Sequence, residues 1–276
     1  MCCKHNLLLG TFKEWKKIFI LVFITILLCL SLYSETFSTG YWAEIGKFPG
    51  MLDYLLHILE GVAPKSPNDD TPFVIPIMWL LVSSFMLFSV SFYPTKELDT
   101  VGTNTIFRYK SRLHWWMGKV IWNILTTLIV YSVFIVTILF FALLTAGPHF
   151  LAFTPELHPY LCYSDSVASI KPFEIVTIVC MPVLIYITVG LVHMAMSQIF
   201  GPVIAYIALM ACYIVSAYVK NPLLFFSGSM LKRYNIFSQN GISPMIYLAF
   251  SLVFGTIAVL LGHLLFQQYD ILKRNQ

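Results

Sequence analysis

Among the residues of this chain, the histidines are the strongest candidates for a catalytic or metal-binding site. His193 and His263 fall near the ends of two apolar segments, and an ionisable residue inside a membrane is a functional candidate by default. Their predicted depth is close to the membrane surface, which favours ordinary polar roles. His149 and His158 share one loop with two acids, but the spacing fits no common metal site. Neither H-E-x-x-H nor G-x-S-x-G occurs, so we predict no catalytic residue and no metal site. A small intramembrane enzyme that uses His193 or His263 is an alternative.

The composition places these histidines in a membrane protein. The chain has 276 residues, of which 58% are hydrophobic and only 11% are charged, and its mean hydropathy is +0.79. Soluble domains carry about 25% charged residues and could not hide so much apolar surface. The basic residues cluster beside apolar runs, which is typical of membrane loops and argues against nucleic acid as a partner. Cys2 and Cys3 are predicted to be free thiols, with acylation as the alternative.

Six apolar segments are long enough, or nearly so, to cross a bilayer as helices of about 20 residues. Their apolar runs are continuous, whereas strands of a membrane barrel would alternate polar and apolar residues. No loop is long enough to bury a soluble core, so residues 1–276 are predicted to form a single transmembrane domain. The predicted spans are Ile18–Tyr33, Phe73–Tyr93, Val120–Ala146, Ile175–Ala195, Val203–Val219 and Ile246–Phe266.

The loop charges predict the orientation. If both termini are cytoplasmic, the inner segments hold 11 of the 17 basic residues but only four of the 13 acidic ones. Positive charge is enriched on the cytoplasmic side of membrane proteins, so we predict both termini inside, in a multi-pass protein of the cell membrane. The outer segments hold the other six basic residues and nine acidic ones, and the basic residues clustered there against the pattern are Lys220, Lys232 and Arg233.

Three segments outside the spans have a predicted structure of their own. Residues 1–17 are expected to form a cytoplasmic helix along the inner surface, held against the lipid by Phe12, Trp15, Lys16 and Lys17. Met51–Glu60 has apolar residues at helical spacing and is predicted to lie on the outer surface. The apolar stretch Asn221–Leu231 is predicted to dip back among the helices, where protein can cover its backbone.

The cytoplasmic stretch between the second and third spans carries the strongest functional pattern. Residues 106–119 are predicted to form an amphipathic helix that runs straight into the third span. Basic and aromatic residues at helical spacing suit a lipid anchor, and they equally suit a docking surface for a cytoplasmic partner. The basic and aromatic residues that share one face of this helix are Arg108, Arg112, Trp115 and Lys119.

This layout resembles the permease subunits of ABC-2-type transporters. The run FRYKSRLHWWMGK at Phe107–Lys119 is similar to the coupling helix of that family, and NPLLFFSGSML at Asn221–Leu231 resembles its short re-entrant helices. The resemblance covers the whole chain as a layout and about a dozen positions in sequence.

The resemblance implies an exporter assembled from several chains. Two permease subunits, the same or sister chains, would form the pathway in a bacterial plasma membrane, and cytoplasmic ABC ATPase subunits would bind ATP and Mg below them. The residues that the resemblance implies as contacts to the ATPase are Phe107, Arg108, Tyr109, Arg112, Trp115 and Lys119. The chain has no G-x-x-x-x-G-K-[ST] motif for an ATP site of its own. The few charges predicted within the spans suggest an amphipathic peptide or other hydrophobic small compound as cargo. The alternatives are a non-transporting membrane scaffold, immunity or sensor protein, and the small intramembrane enzyme.

Overall fold

Helices account for the regular structure of the described residues. The computed structural model describes residues 15–38, 40, 46–62, 74–95, 97, 111–154, 170–219, 221–238 and 241–268. The α-helices are α1 (Trp15–Ser38), α2 (Met51–Leu59), α3 (Ile77–Ser91), α4 (Arg112–Ala146), α5 (Pro172–Phe200), α6 (Pro202–Tyr218) and α7 (Pro244–Gln268). Three short 3-10 turns lie at Gly147–His149, Phe225–Ser229 and Leu231–Arg233. The all-helical fold class is thus confirmed for this part of the chain.

Five of these helices are long and apolar enough to cross a membrane: α1, α3 with its continuation to Thr95, α4, α5 and α7. The helix at the fifth predicted span, α6, has 17 residues and at 1.5 Å per residue is about 25 Å long, slightly shorter than a hydrocarbon core of about 30 Å. Large apolar side chains point outwards, including Phe19 at 64% exposure and Ile207 at 62%. Lipid is the solvent that suits such a surface, so the chain is a multi-pass membrane protein.

The two ends of the helix bundle are distinguished by contacts between helix termini. At one end, Lys17 near the start of α1 donates to the carbonyl of Phe88 near the end of α3, over 3.5 Å. At the same end, Arg112 at the start of α4 donates to the carbonyl of Phe266, over 3.3 Å, near the end of α7. We call this the Arg112 end and the opposite one the Arg233 end. The first described helix begins and the last one ends at the Arg112 end, while the chain termini themselves lie outside the described residues.

Helix α5 occupies the middle of the bundle and packs against α3, α4, α6 and α7. Pro182 lies inside it, and the Tyr131 hydroxyl of α4 donates to the carbonyl of Val179, one turn earlier, over 2.8 Å. Gly201, with a φ of +80°, ends α5 and lets α6 begin at the next residue. The small side chain of Ser251 on α7 allows the backbone of α7 to approach α5 closely. At this approach the Thr188 hydroxyl of α5 donates to the carbonyl of Ser251 over 3.3 Å.

Helix α2 forms where it was predicted, but its predicted place on the outer surface is wrong. Eight of its nine residues are buried, and the helix packs against α1, α3 and α4. Its buried acid is satisfied within the protein, because the Asp53 carboxylate accepts from the backbone N–H of Gly50 at 2.9 Å and of Thr154 at 3.3 Å. The Tyr54 hydroxyl reaches Thr145 of α4 at 3.2 Å. With its polar groups paired inside, α2 packs as a core helix.

Two predicted helix boundaries also differ from the structure. Ser111 is extended, with φ −153° and ψ 149°, and its hydroxyl accepts from the backbone N–H of His114 as the N-cap of α4. The predicted continuous helix over 106–119 is therefore broken at Ser111, and Arg112–Lys119 is simply the start of α4. At the N-terminus, α1 already includes Trp15, Lys16 and Lys17. The remainder of the predicted interfacial helix, including Phe12, lies outside the described residues.

Candidate functional site

The most concentrated charged chemistry in the described bundle surrounds Lys119 near the Arg112 end. The Lys119 side chain is 0% exposed and pairs with the Glu97 carboxylate, which is 13% exposed. Its ammonium lies over the ring of Tyr93, 4.8 Å from the centroid, and over Trp115 at 5.4 Å. Tyr93 also stacks on Trp122 at 4.4 Å. We call these five residues the Lys119 cluster. One carboxylate and two aromatic faces thus stabilise a buried positive charge.

Helical spacing explains how two elements build this cluster. Trp115, Lys119 and Trp122 are separated by four and three residues, so they share one face of α4. Tyr93 and Glu97 are also four residues apart, at the end of the stretch that continues α3. The ion pair therefore joins the exit of α3 to the entry of α4 across the segment that links them.

A second contact, the α4–α7 junction, ties the same end of α4 to the last turns of α7. The Arg112 guanidinium donates to the backbone carbonyls of Phe266 and Gln267. The last carbonyls of a helix lack intrahelical partners and carry partial negative charge, so a cation there both caps and stabilises the helix. Trp115 stacks on Phe266 at 4.6 Å. Arg112 and Trp115 thereby fix the end of α7 to the start of α4.

One turn further into the junction, the packing is tight enough to require glycine. The Trp116 indole N–H donates to the carbonyl of Val259 over 3.0 Å. A Cβ on Gly262 would lie 2.3 Å from the Trp116 ring, closer than packed atoms tolerate. The indole therefore occupies the space that the missing side chain of Gly262 leaves. Any movement of the start of α4 must carry the end of α7 with it or break these contacts.

The structure gives the predicted docking residues different surroundings from those expected. Trp115 is 2% exposed and Lys119 is 0% exposed, so neither offers a surface to a partner in this conformation. Arg112 is engaged with α7. The three residues Phe107, Arg108 and Tyr109 lie outside the described residues, and their docking role stays a prediction.

The predicted membrane-anchoring residues of α1 are more accessible. Trp15 is 53% exposed and packs edge-on against Phe19, and Lys16 is also exposed. Lys17 lies over the ring of Phe88, 4.6 Å from its centroid. This cation–π contact ties α1 to the end of α3.

The histidines singled out in the sequence make structural contacts. The His193 ring is 1% exposed and its Nε2 lies 3.1 Å from the carbonyl of Pro202, across the turn between α5 and α6. The His263 Nε2 lies 3.0 Å from the Gln267 side chain, one turn further along α7. Within the described ranges, no group of His, Cys, Asp and Glu side chains is arranged to hold a metal ion. His149 ends a 3-10 turn, and His158 lies outside the described residues.

At the Arg233 end, a buried segment closes the bundle. The predicted dip consists of two 3-10 turns, and we call residues 225–234 the plug. The Trp79 indole N–H donates to the Ser229 hydroxyl over 2.9 Å, and the Ser227 hydroxyl lies 3.2 Å from that of Tyr247. Tyr234 donates through its hydroxyl to the carbonyl of Gly228 within the plug itself, over 2.6 Å. Side chains of α3 and α7 thus supply the polar partners of a segment that lacks regular α-helical bonding.

Two cations that break the predicted charge pattern belong to this plug. Lys232 pairs with Glu60, and burial lowers the pKa of Lys232 to about 8. The Arg233 guanidinium is 1% exposed and donates to the carbonyls of Val62, over 2.9 Å, and Ala217. Burial also lowers the pKa of Arg233. Both residues hold the plug against the segment after α2 and the end of α6.

Sequence reasoning missed Glu97 as a functional residue and assigned it to a cytoplasmic loop. One sequence signal could have found Glu97: it lies four residues after Tyr93, so both side chains share one face if the second predicted span continues as a helix past Tyr93. The partner of Glu97, 22 residues further on, carries no local sequence signal.

Comparison with known proteins identifies a family for this chain, but the function of that family is unknown. The chain belongs to the family described as "Protein of unknown function (DUF2705)", whose model matches residues 45–274. No curated protein and no solved structure matches the chain. The matched range contains α2 to α7, and with them the Lys119 cluster, the α4–α7 junction and the plug.

Proposed function

We propose that this DUF2705 protein is the permease subunit of an ATP-driven exporter of the ABC-2 type, located in a bacterial plasma membrane. ATP and Mg bind to separate cytoplasmic ATPase subunits, and a second permease subunit, the same chain or a sister chain, completes the pathway. The cargo is an amphipathic peptide or another hydrophobic small compound. The observation that supports this proposal best is the way the Arg112 end of α4 is fixed to two other helices.

The segment between α3 and α4 is anchored at both of its ends. Glu97 closes one end through its pair with Lys119, and Ser111 caps α4 at the other. Arg112 and Trp115 then connect the start of α4 to the end of α7. A subunit that pushes on this segment would therefore displace α3, α4 and α7 together, which is what a device that couples ATP hydrolysis to a membrane pathway requires.

The proposal divides the predicted coupling residues into two groups. Phe107, Arg108 and Tyr109 are the candidates for direct contact with an ATPase. Trp115 and Lys119, which are buried, act by transmitting the displacement into the bundle. Arg112 belongs with the transmitting residues because its guanidinium caps α7.

The test is a purification of the full chain from its native membrane in mild detergent, with identification of the proteins that accompany it. We expect a stoichiometric subunit that carries a phosphate-binding loop. Arg108→Glu should remove that subunit while the chain remains inserted and folded, because reversing the charge disrupts a docking contact. Arg112→Gln is the matched control, since it should lower thermal stability through α7 and leave the subunit bound.

Two outcomes would overturn the proposal. One is that no ATPase accompanies the chain, even after crosslinking through residues 108–112. The other is that Arg108→Glu retains the ATPase in full. The basic segment would then be a lipid anchor, and the chain a non-transporting membrane protein such as a scaffold, immunity factor or sensor.

A further inference from the structure

Three neighbouring residues of α4 hold polar atoms without hydrogen-bond partners. Within the described part of the chain, no partner lies near the Trp122 indole N–H, either amide atom of Asn123 or the Thr126 hydroxyl. All three side chains are buried, with exposures of 2%, 0% and 5% respectively. Four such atoms within five residues of one helix are exceptional, because buried polar groups are nearly always paired.

The bundle makes room for the Asn123 amide. Gly190 of α5 faces it, and a Cβ on that glycine would lie 2.7 Å from the Asn123 Oδ1 and 3.2 Å from Val90 of α3. Asn123 thus lies where α3, α4 and α5 meet. An apolar side chain of similar size would fill the same space without any unpaired polar atoms. The choice of an amide opposite a glycine therefore calls for a polar occupant in some state of the protein.

The Lys119 cluster separates these residues from the Arg112 end. Lys119 precedes Asn123 by four residues, one turn of α4, and Trp122 is itself stacked on Tyr93 of the cluster. The Asn123 amide is 0% exposed while Lys119 is paired to Glu97. Because Asn123 lies on the next turn of the same face of α4, separation of that ion pair would expose this turn to the Arg112 end.

We propose that Trp122, Asn123 and Thr126 form a hydration site inside the bundle, and that the Glu97–Lys119 pair is its gate. Water is the occupant because the three side chains supply uncharged donors and acceptors together, which is the set that a buried water uses. In the closed conformation the site is collapsed, and it fills from the Arg112 end when the pair separates. This proposal does not depend on an ATPase partner.

Substituted cysteines test the site in the full chain, reconstituted in liposomes after its six native cysteines are replaced. Asn123→Cys and Thr126→Cys each place a thiol in the site, and Ile121→Cys, at a position that is 41% exposed on the outer surface of the bundle, is the control. A small, charged, membrane-impermeant thiol reagent is applied to liposomes whose Arg112 end faces outwards, and the modification rate is measured. Each variant is also made with Glu97→Gln, which removes the gate.

We expect both thiols in the site to gain about tenfold in rate with Glu97→Gln, and to react faster than the control once the gate is removed. Ile121→Cys should stay slow in both backgrounds, since lipid excludes the reagent. Lys119→Met, which removes the pair from its other side, should give the same gain. The proposal is overturned if, in folded protein, neither thiol reacts faster than the control in either background, that is, with the Glu97–Lys119 pair present or removed. A higher melting temperature for Asn123→Leu, together with unreactive thiols, would show that the site is dry.

Discussion

Removing Glu97 should destabilise the protein more than removing Lys119. Glu97→Gln leaves the Lys119 ammonium without a counter-charge, at a position where its side chain is 0% exposed. Breaking a buried ion pair in this way costs about 3–5 kcal/mol. The rings of Tyr93 and Trp115 still face the ammonium in the variant, so we expect a loss near the lower end of that range, about 3 kcal/mol in the free energy of unfolding.

Lys119→Met removes the charge and keeps the length of the side chain. The Glu97 carboxylate left behind is 13% exposed and has access to water, so we expect a smaller loss of about 1–2 kcal/mol. The double variant leaves no unpaired charge and should cost no more than Glu97→Gln alone. The coupling energy of the pair is then about 1–2 kcal/mol.

The assay is unfolding of the four proteins in one detergent, with near-ultraviolet circular dichroism as the readout. The Glu60–Lys232 pair is the matched control, because its side chains are 20% and 14% exposed and each can still meet water after the other is removed. Its coupling energy should be below about 1 kcal/mol. If the Glu97 and Lys119 costs simply add, or if Lys119→Met costs more than Glu97→Gln, the assignment of Lys119 as a dry, gated charge is refuted.

Three further changes test other contacts by thermal unfolding. Gly262→Ala should cost about 1–3 kcal/mol because its Cβ would lie 2.3 Å from an indole of α4, whereas Gly255→Ala, with its nearest neighbour at 3.7 Å, should be tolerated. Trp79→Phe should cost about 1–2 kcal/mol by leaving the Ser229 hydroxyl without its donor, and an unchanged melting temperature would contradict this. Burial lowers the pKa of His57 to about 4, so stability should fall as pH drops from about 6.5 to 4, and His57→Gln should reduce that loss.

The helices were predictable because their signal is local. Each predicted span lies mostly within one observed helix, since a long apolar run in lipid has to satisfy its backbone hydrogen bonds internally. The helix ends were less predictable: α4 begins at Arg112, six residues after the predicted start of this continuous helix at residue 106. Trp115 and Lys119 were predicted to lie on an accessible helix face, as docking residues or lipid anchors, although Glu97 and Phe266 give them partners inside the bundle.

The position of α2 was not predictable from its own residues. Asp53 and His57 on an otherwise apolar helix are the pattern of a surface helix. What reverses that expectation is the pairing of Asp53 with backbone N–H groups, including that of Thr154, which lies 101 residues away. Periodicity reports which side chains are polar, and it carries no information about distant groups that pair with them.

The basic residues at the two ends of the bundle show the same limit, because a charge pattern in the sequence does not report which distant groups pair with each charge. The rule that positive charge stays inside counts basic residues in the loops near the ends of the spans. Lys232 and Arg233 break the rule in sequence, yet Lys232 is paired with Glu60 and Arg233 with the carbonyls of Val62 and Ala217. The sequence shows that both residues are basic, but it carries no information about these partners, which lie elsewhere in the chain. Both cations therefore have a structural role in the plug that a count of loop charges does not report, and the orientation of the chain stays a prediction.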